Sequence, residues 1–154
     1  MSFIIERALE IKAPPEVVWE VLTDFPKYGE WNPFVIECRS TLKPGEAMDM
    51  RVKLMAIPQR QVEWMLEHVP GKRFVYQMKP FPLGALNSQR SHEVEALGAE
   101  RTRYRSYFHL QGWMMPLVRG LMGGRIETGM RGMWEALQRR AEQLWAQRQN
   151  RKAA

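Results

Sequence analysis

The stretch PLVRGLMGGRIETGMRGMWEALQRRAEQLWAQR, residues 116–148, decides how this chain folds. Within it Ile126, Met130, Met133, Leu137, Ala141 and Leu144 recur at steps of three and four, which puts them on one side of a helix with a 3.6-residue period. Arg125, Glu127, Arg131, Glu135, Gln138 and Glu142 fall on the other sides. A helix with such a stripe needs a partner surface, because most helical stability comes from packing of the apolar face. The residues before it supply short alternating segments with the period of an antiparallel sheet.

Residues 3–12 predict a first strand, with Ile5, Arg7, Leu9 and Ile11 alternating against Ile4, Glu6, Ala8 and Glu10. Ala13-Pro14 ends it. Pro15 suits the first position of a helix and Glu16 its positive end, and Val17, Val18, Val21 and Leu22 give that helix an apolar face up to Thr23. Asp24-Phe25-Pro26 breaks it, a second short helical piece is predicted around Lys27 to Glu30, and Asn32-Pro33 stops that in turn.

From Phe34 the period is two. Strands are predicted at 33–40, 48–54, 62–66, 74–78, 87–97 and 101–111, with turns at Lys43-Pro44-Gly45 and Pro70-Gly71. Met48, Met50, Val52 and Leu54 oppose Asp49, Arg51 and Lys53, a half-buried pattern with the apolar set inward. In the next strand the same reasoning turns Val62, Trp64 and Leu66 inward and Glu63 and Glu67 outward.

The last hairpin predicts its own register. With Arg101, Arg103 and Arg105 in water, Thr102, Tyr104, Ser106 and Phe108 face inward. With Glu93 and Glu95 outward, Arg90, His92 and Val94 face inward. Both hold together across an odd loop, and a three-residue loop Gly98-Ala99-Glu100 pairs Glu95 with Arg103, Glu93 with Arg105, Val94 with Tyr104 and His92 with Ser106. The arginine row is then explained by cross-strand charge pairing rather than by nucleic acid.

Bulk properties narrow the classes. At 154 residues the chain is long enough for one domain, 1–154, with a core that needs no staples, and its one cysteine, Cys38, cannot close an internal disulfide. Glu6 and Arg7 interrupt the only apolar run near the start, so neither a signal peptide nor a transmembrane segment is expected, and the cytoplasm is the expected location. The formal charge is +6, of which residues 139–154 carry +4, so the cations gather in a basic tail, about 148–154, that is expected to fray in solvent. No specific nucleic-acid partner is expected.

The element order, with Ala13-Pro14-Pro15-Glu16-Val17-Val18-Trp19, Asp24-Phe25, Tyr28-Gly29-Glu30-Trp31-Asn32-Pro33-Phe34 and the closing Met133-Trp134-Glu135-Ala136-Leu137 run, resembles the START-like (SRPBCC) superfamily of helix-grip folds, in particular its polyketide cyclase/dehydrase and lipid-transport branch. The resemblance implies an α+β fold: a curved antiparallel sheet of about seven strands around the long C-terminal helix, two short helices after the first strand, and a cavity between sheet and helix. It also implies a small hydrophobic guest that is lipid, quinone-like or polyketide-like. Alternatives within the superfamily are a cyclase-, dehydratase- or hydrolase-like enzyme and a ribosome- or chaperone-associated regulator. A monomer or homodimer is expected, and no cofactor.

The inward faces give such a cavity its composition. Met50, Val52, Trp64, Phe74, Tyr76, Met78, Arg90, His92, Tyr104, Ser106 and Phe108 are the ligand-binding candidates from the sheet, with Met130 and Met133 from the helix. Methionine and flat aromatics adapt to an irregular apolar guest. Of the three histidines only His92 falls on an inner face, and it is the single catalytic candidate, set beside Arg90 and Ser106 by register. No Cys/His spacing fits a metal site, no glycine-rich loop follows a strand to cradle phosphate, and no Gly-x-Ser-x-Gly occurs. Glycines at 112, 120, 123, 124, 129 and 132 weaken the front of the long helix, which with residues 79–84 and the short helix before Trp31 is expected to form the mouth of the cavity.

Overall fold

A computed structural model describes residues 2–154. The first strand, β1 (Ser2–Ile11), leads into α1 (Pro15–Thr23), whose Val17, Val18, Val21 and Leu22 are buried as their spacing predicts. A 3-10 turn at Phe25–Lys27 and the one-turn helix α2 (Tyr28–Trp31) follow. Asn32 ends α2 for a local reason: its buried Oδ1 accepts hydrogen bonds from the N–H groups of Phe34 (3.0 Å) and Val35 (2.9 Å). Those donors are thereby satisfied where the chain turns into the sheet.

Six more strands run β2 (Val35–Arg39), β3 (Ala47–Val52), β4 (Gln59–Val69), β5 (Arg73–Met78), β6 (Asn87–Gly98) and β7 (Arg101–Gln111) before α3 (Met115–Ala153). All pairings are antiparallel, in the order β1-β7-β6-β5-β4-β3-β2. This is the α+β helix-grip architecture expected. Along α3 the predicted stripe is buried: Ile126, Met130, Met133, Leu137 and Ala141 enter the core with Trp134 and Ala136, and Leu144 packs against its edge.

The β6–β7 register is the predicted one, with His92 opposite Ser106, Val94 opposite Tyr104 and Glu95 opposite Arg103. The turn itself differs. Gly98 pairs with Arg101 and the ladder shifts between Ala96 and Gly98, so a bulge at Leu97 does the work of the third loop residue and preserves the register. Glu95 reaches Arg103 at 3.4 Å, whereas Glu93 turns to Arg73 on β5 at 3.2 Å instead of Arg105.

Two expectations need correction. Over residues 62–66 β4 has the opposite facing from that predicted: Trp64 is 40% exposed on the outer side with Val62 and Leu66, while Glu63 and Met65 point inward, and a bulge at Leu66 leaves Glu67 outward as expected. The cause is pairing. Met48 stands opposite Glu63 and Met50 opposite Gln61, and directly opposed residues share a face. The basic tail, expected to fray from about 148, continues α3 to Ala153. There Arg148 pairs with Glu20 of α1 at 2.8 Å and Gln149 Nε2 donates to Glu100 at 3.3 Å.

The motif that turns the chain after α2 also fixes α3. A Cβ on Gly129 would lie 2.2 Å from Phe34 Cδ1, and one on Gly132 would lie 3.4 Å from Pro33 Cγ. Pro33 and Phe34 therefore seat on a glycine step in the helix.

Candidate functional site

Under the front half of α3 the sheet and helix do not meet. They leave a cavity of about 480 Å³. Its walls are largely apolar: Met50 and Val52 from β3, Tyr76 and Met78 from β5, Phe108 and Leu110 from β7, and Val118, Met122, Ile126 and Met130 from α3. Phe34 and Val35 close one side, and Leu54, Val62 and Phe81 stand at the opening, the last two also facing solvent.

The expected ligand-binding residues divide in two. Met50, Val52, Tyr76, Met78, Arg90, Phe108 and Met130 line the cavity. Phe74, His92, Tyr104, Ser106 and Met133 do not: all are at most 1% exposed and lie in the packed core. The reason is that Phe25 from the 3-10 turn and Trp19 from α1 pack edge-on against Phe74 (centroids 6.2 and 5.9 Å) and fill that end of the grip. Trp64, on the outer face, belongs to neither group. Of the expected mouth, the 79–84 loop and the front of α3 border the cavity, through Phe81 and through Val118 and Met122, whereas the short helix α2 lies away from it.

The polar side of the cavity is built from three strands. Glu63 on β4, Ser88 and Arg90 on β6, and the Tyr76 ring on β5 between them all line it. Arg90 is only 5% exposed. Its Nε donates to His92 Nε2 (3.1 Å) and a terminal nitrogen reaches Met133 Sδ (3.5 Å), neither of them an anion. Because Nε2 accepts from a group that cannot give up its proton, the His92 proton sits on Nδ1 and is donated to the Tyr104 hydroxyl at 2.6 Å. His92 is thus a neutral orienting group behind Arg90. Burial first, then the Arg90 charge, hold its pKa well below the ordinary 6.5.

Glu63 is the residue that sequence reasoning missed. Burial pushes its carboxyl up to about 7, with the Arg90 charge and a long hydrogen bond from Ser88 (3.5 Å) acting in the opposite direction. The hydroxyl of Tyr76 is raised by burial, and burial also pushes the thiol of Cys38 up, which leaves that cysteine a buried, unreactive part of β2. Among the described residues no group of His, Cys, Asp and Glu could hold a metal ion.

These shifts have a pH signature. Between about 4.5 and 7 the folded chain keeps a proton on Glu63 that the unfolded chain has released, so its contribution is complete below pH 4.5 and is lost as pH rises through 7. His92 runs the other way: its contribution is complete above pH 6.5 and is lost as pH falls, since the unfolded chain takes up a proton the buried ring refuses. Below pH 6.5 the two slopes oppose one another. Glu63→Gln removes one of them. Its stability is expected to fall by about 2–3 kcal/mol more than that of the parent from pH 6.5 to 4.5. Urea midpoints across that range check this, and parallel curves for the two proteins would refute it.

A curved sheet gripping a long helix over an apolar cavity with one polar side defines a helix-grip protein. The chain belongs to the polyketide cyclase / dehydrase and lipid transport family, whose model matches residues 2–142. No curated protein matches it in sequence. Among solved structures it is similar to the Zhui aromatase/cyclase from Streptomyces sp. R1128 (16% identity, 92% of this chain and 94% of that one, TM-score 0.75). It is also similar to a START superfamily protein from Mycobacterium smegmatis (17%, 92% and 98%, TM-score 0.69). Norcoclaurine synthase from Thalictrum flavum has the same fold (15%, 92% and 94%, TM-score 0.67). At these identities the likeness is one of fold.

Proposed function

We propose that the protein binds and carries a small hydrophobic molecule, lipid, quinone-like or polyketide-like, with an oxygen-bearing end turned toward Arg90 and Glu63. The observation that supports this most is the cavity of about 480 Å³, apolar on most sides and polar on one. Burial of the guest's apolar surface drives binding at about 25 cal/mol per Å², and the polar side fixes its orientation. The protein purified from cells is expected to show, by mass spectrometry under native conditions, an added mass that organic extraction removes. Apo protein with no uptake of any fatty acid, quinone or polycyclic phenol offered to it would count against carriage.

A cyclase- or dehydratase-like reaction is the second reading, and Glu63 is what favours it. A carboxyl with a pKa near 7, on the same side of the cavity as a guanidinium, both accepts and returns a proton at neutral pH. In this reading Arg90 polarises a carbonyl oxygen and Glu63 moves the proton. Loss of turnover in Glu63→Gln with ligand binding retained would support it.

A further inference from the structure

Among the described residues, seven of the eleven exposed large apolar side chains lie on three segments at one end. Met55 and Ile57 are on the β3–β4 loop, and Phe81 and Leu83 on the β5–β6 loop. Trp113, Leu117 and Leu121 lead into and along the first turns of α3. They are displayed rather than grazed by solvent: Leu83, Ile57 and Leu121 are 94%, 74% and 72% exposed. The segments are neighbours. Trp113 Nε1 donates to the Leu83 carbonyl at 3.2 Å, and Lys53, Leu54 and Met55 share a surface groove with Leu121 and Arg125.

The charges on these segments have one sign. Residues 53–60, 79–86 and 112–125 hold Lys53, Arg60, Lys79, Arg119 and Arg125 and contain no aspartate or glutamate. They carry +5 of the formal charge of +6, so the rest of the chain, basic tail included, nets +1. Arg60 is tied to Asp49 at 3.0 Å, while Lys53, Lys79, Arg119 and Arg125 are exposed and make no ion pair among the described residues. The same three segments contribute Leu54, Arg60, Phe81, Val118 and Met122 to the cavity, so the patch surrounds its mouth.

We propose that this end of the molecule is a docking surface for an anionic lipid bilayer. Exposed apolar side chains in such a group mark an interaction surface. Cations with no interspersed acids fit a sheet of anionic headgroups better than a protein partner, whose surface carries both signs. Trp113, its N–H already bonded, suits the depth of the headgroups, and Leu117 and Leu121, one turn apart, enter beneath them. A guest leaving such a bilayer would reach the cavity without crossing water. The docking needs no guest, so it stands or falls separately from carriage.

Co-flotation with vesicles tests it, using phosphatidylcholine alone and phosphatidylcholine with roughly one-third phosphatidylglycerol. The parent protein is expected to float with the anionic vesicles, and to lose affinity as salt rises. Each cation near such a surface is worth about fivefold in affinity, so Arg119→Glu with Arg125→Glu is expected to weaken binding at least tenfold. Leu117→Asp with Leu121→Asp is expected to do the same, and Leu66→Asp on the outer sheet face to leave it unchanged. All these positions are exposed, and unchanged melting temperatures confirm that the variants fold. No flotation of the parent, or equal flotation of all variants, overturns the proposal. So does a dimer in solution that Leu121→Asp dissolves without any vesicle binding, or capture of an acidic polymer in place of vesicles.

Discussion

Arg90→Met is expected to weaken binding of anilinonaphthalene sulfonate at least about thirtyfold while leaving phenylnaphthylamine, the same skeleton without the sulfonate, within about threefold. Arg90 is 5% exposed and its hydrogen bonds end on a neutral imidazole and a thioether. A guanidinium so placed is ready to pair with an anionic oxygen inside a water-poor cavity, where such a bond is stronger than at the surface. Methionine keeps the length and removes the charge. Stability should hold or rise, since replacing a buried cation without an anionic partner by an apolar chain removes its desolvation cost. Equal loss of both probes would mean that Arg90 shapes the cavity rather than reading its guest.

Gly129→Ala is expected to cost about 3 kcal/mol and to lower Tm by roughly 6–12 °C. The added methyl would sit 2.2 and 2.3 Å from two ring carbons of Phe34, which is 6% exposed and has no free space to retreat into except the cavity. Gly124 in the same helix faces open solvent, so Gly124→Ala is expected to gain about 0.5–1 kcal/mol from helix propensity alone. Urea unfolding of the pair decides it. Two substitutions of the same sign would show that the glycine step is not what seats Phe34.

How much could be read beforehand depended on loop parity. Between β6 and β7 two outward rows of opposite charge fixed the facing of both strands, so His92, Val94, Tyr104 and Ser106 could be placed before any coordinates. Between β3 and β4 the chain offered apolar Val62, Trp64 and Leu66 as an attractive inner face, and that reading hid Glu63. The strands read as 48–54 and 62–66 leave an odd loop, whereas the structure closes the hairpin across the six residues 53–58, an even loop that puts odd-numbered β4 residues on the face of even-numbered β3 residues. What no residue pattern carried was the division between cavity and core. That depends on Phe25 and Trp19 arriving from separate elements to fill one end, a packing event without a periodic signature.

Helix α3 serves both halves of the molecule in series. Its early residues Met122, Ile126 and Met130 face the cavity, and its later residues Met133, Leu137 and Ala141 face solid core. Met122 and Leu137 are separated by about 22 Å along the axis at 1.5 Å per residue, far enough for the effects of substitutions to add. Drift at the front can therefore retune which guest is accepted while the rear preserves the scaffold. Lineages descended from such a chain can diverge in chemistry without first surrendering their fold, and one continuous helix keeps the two histories apart.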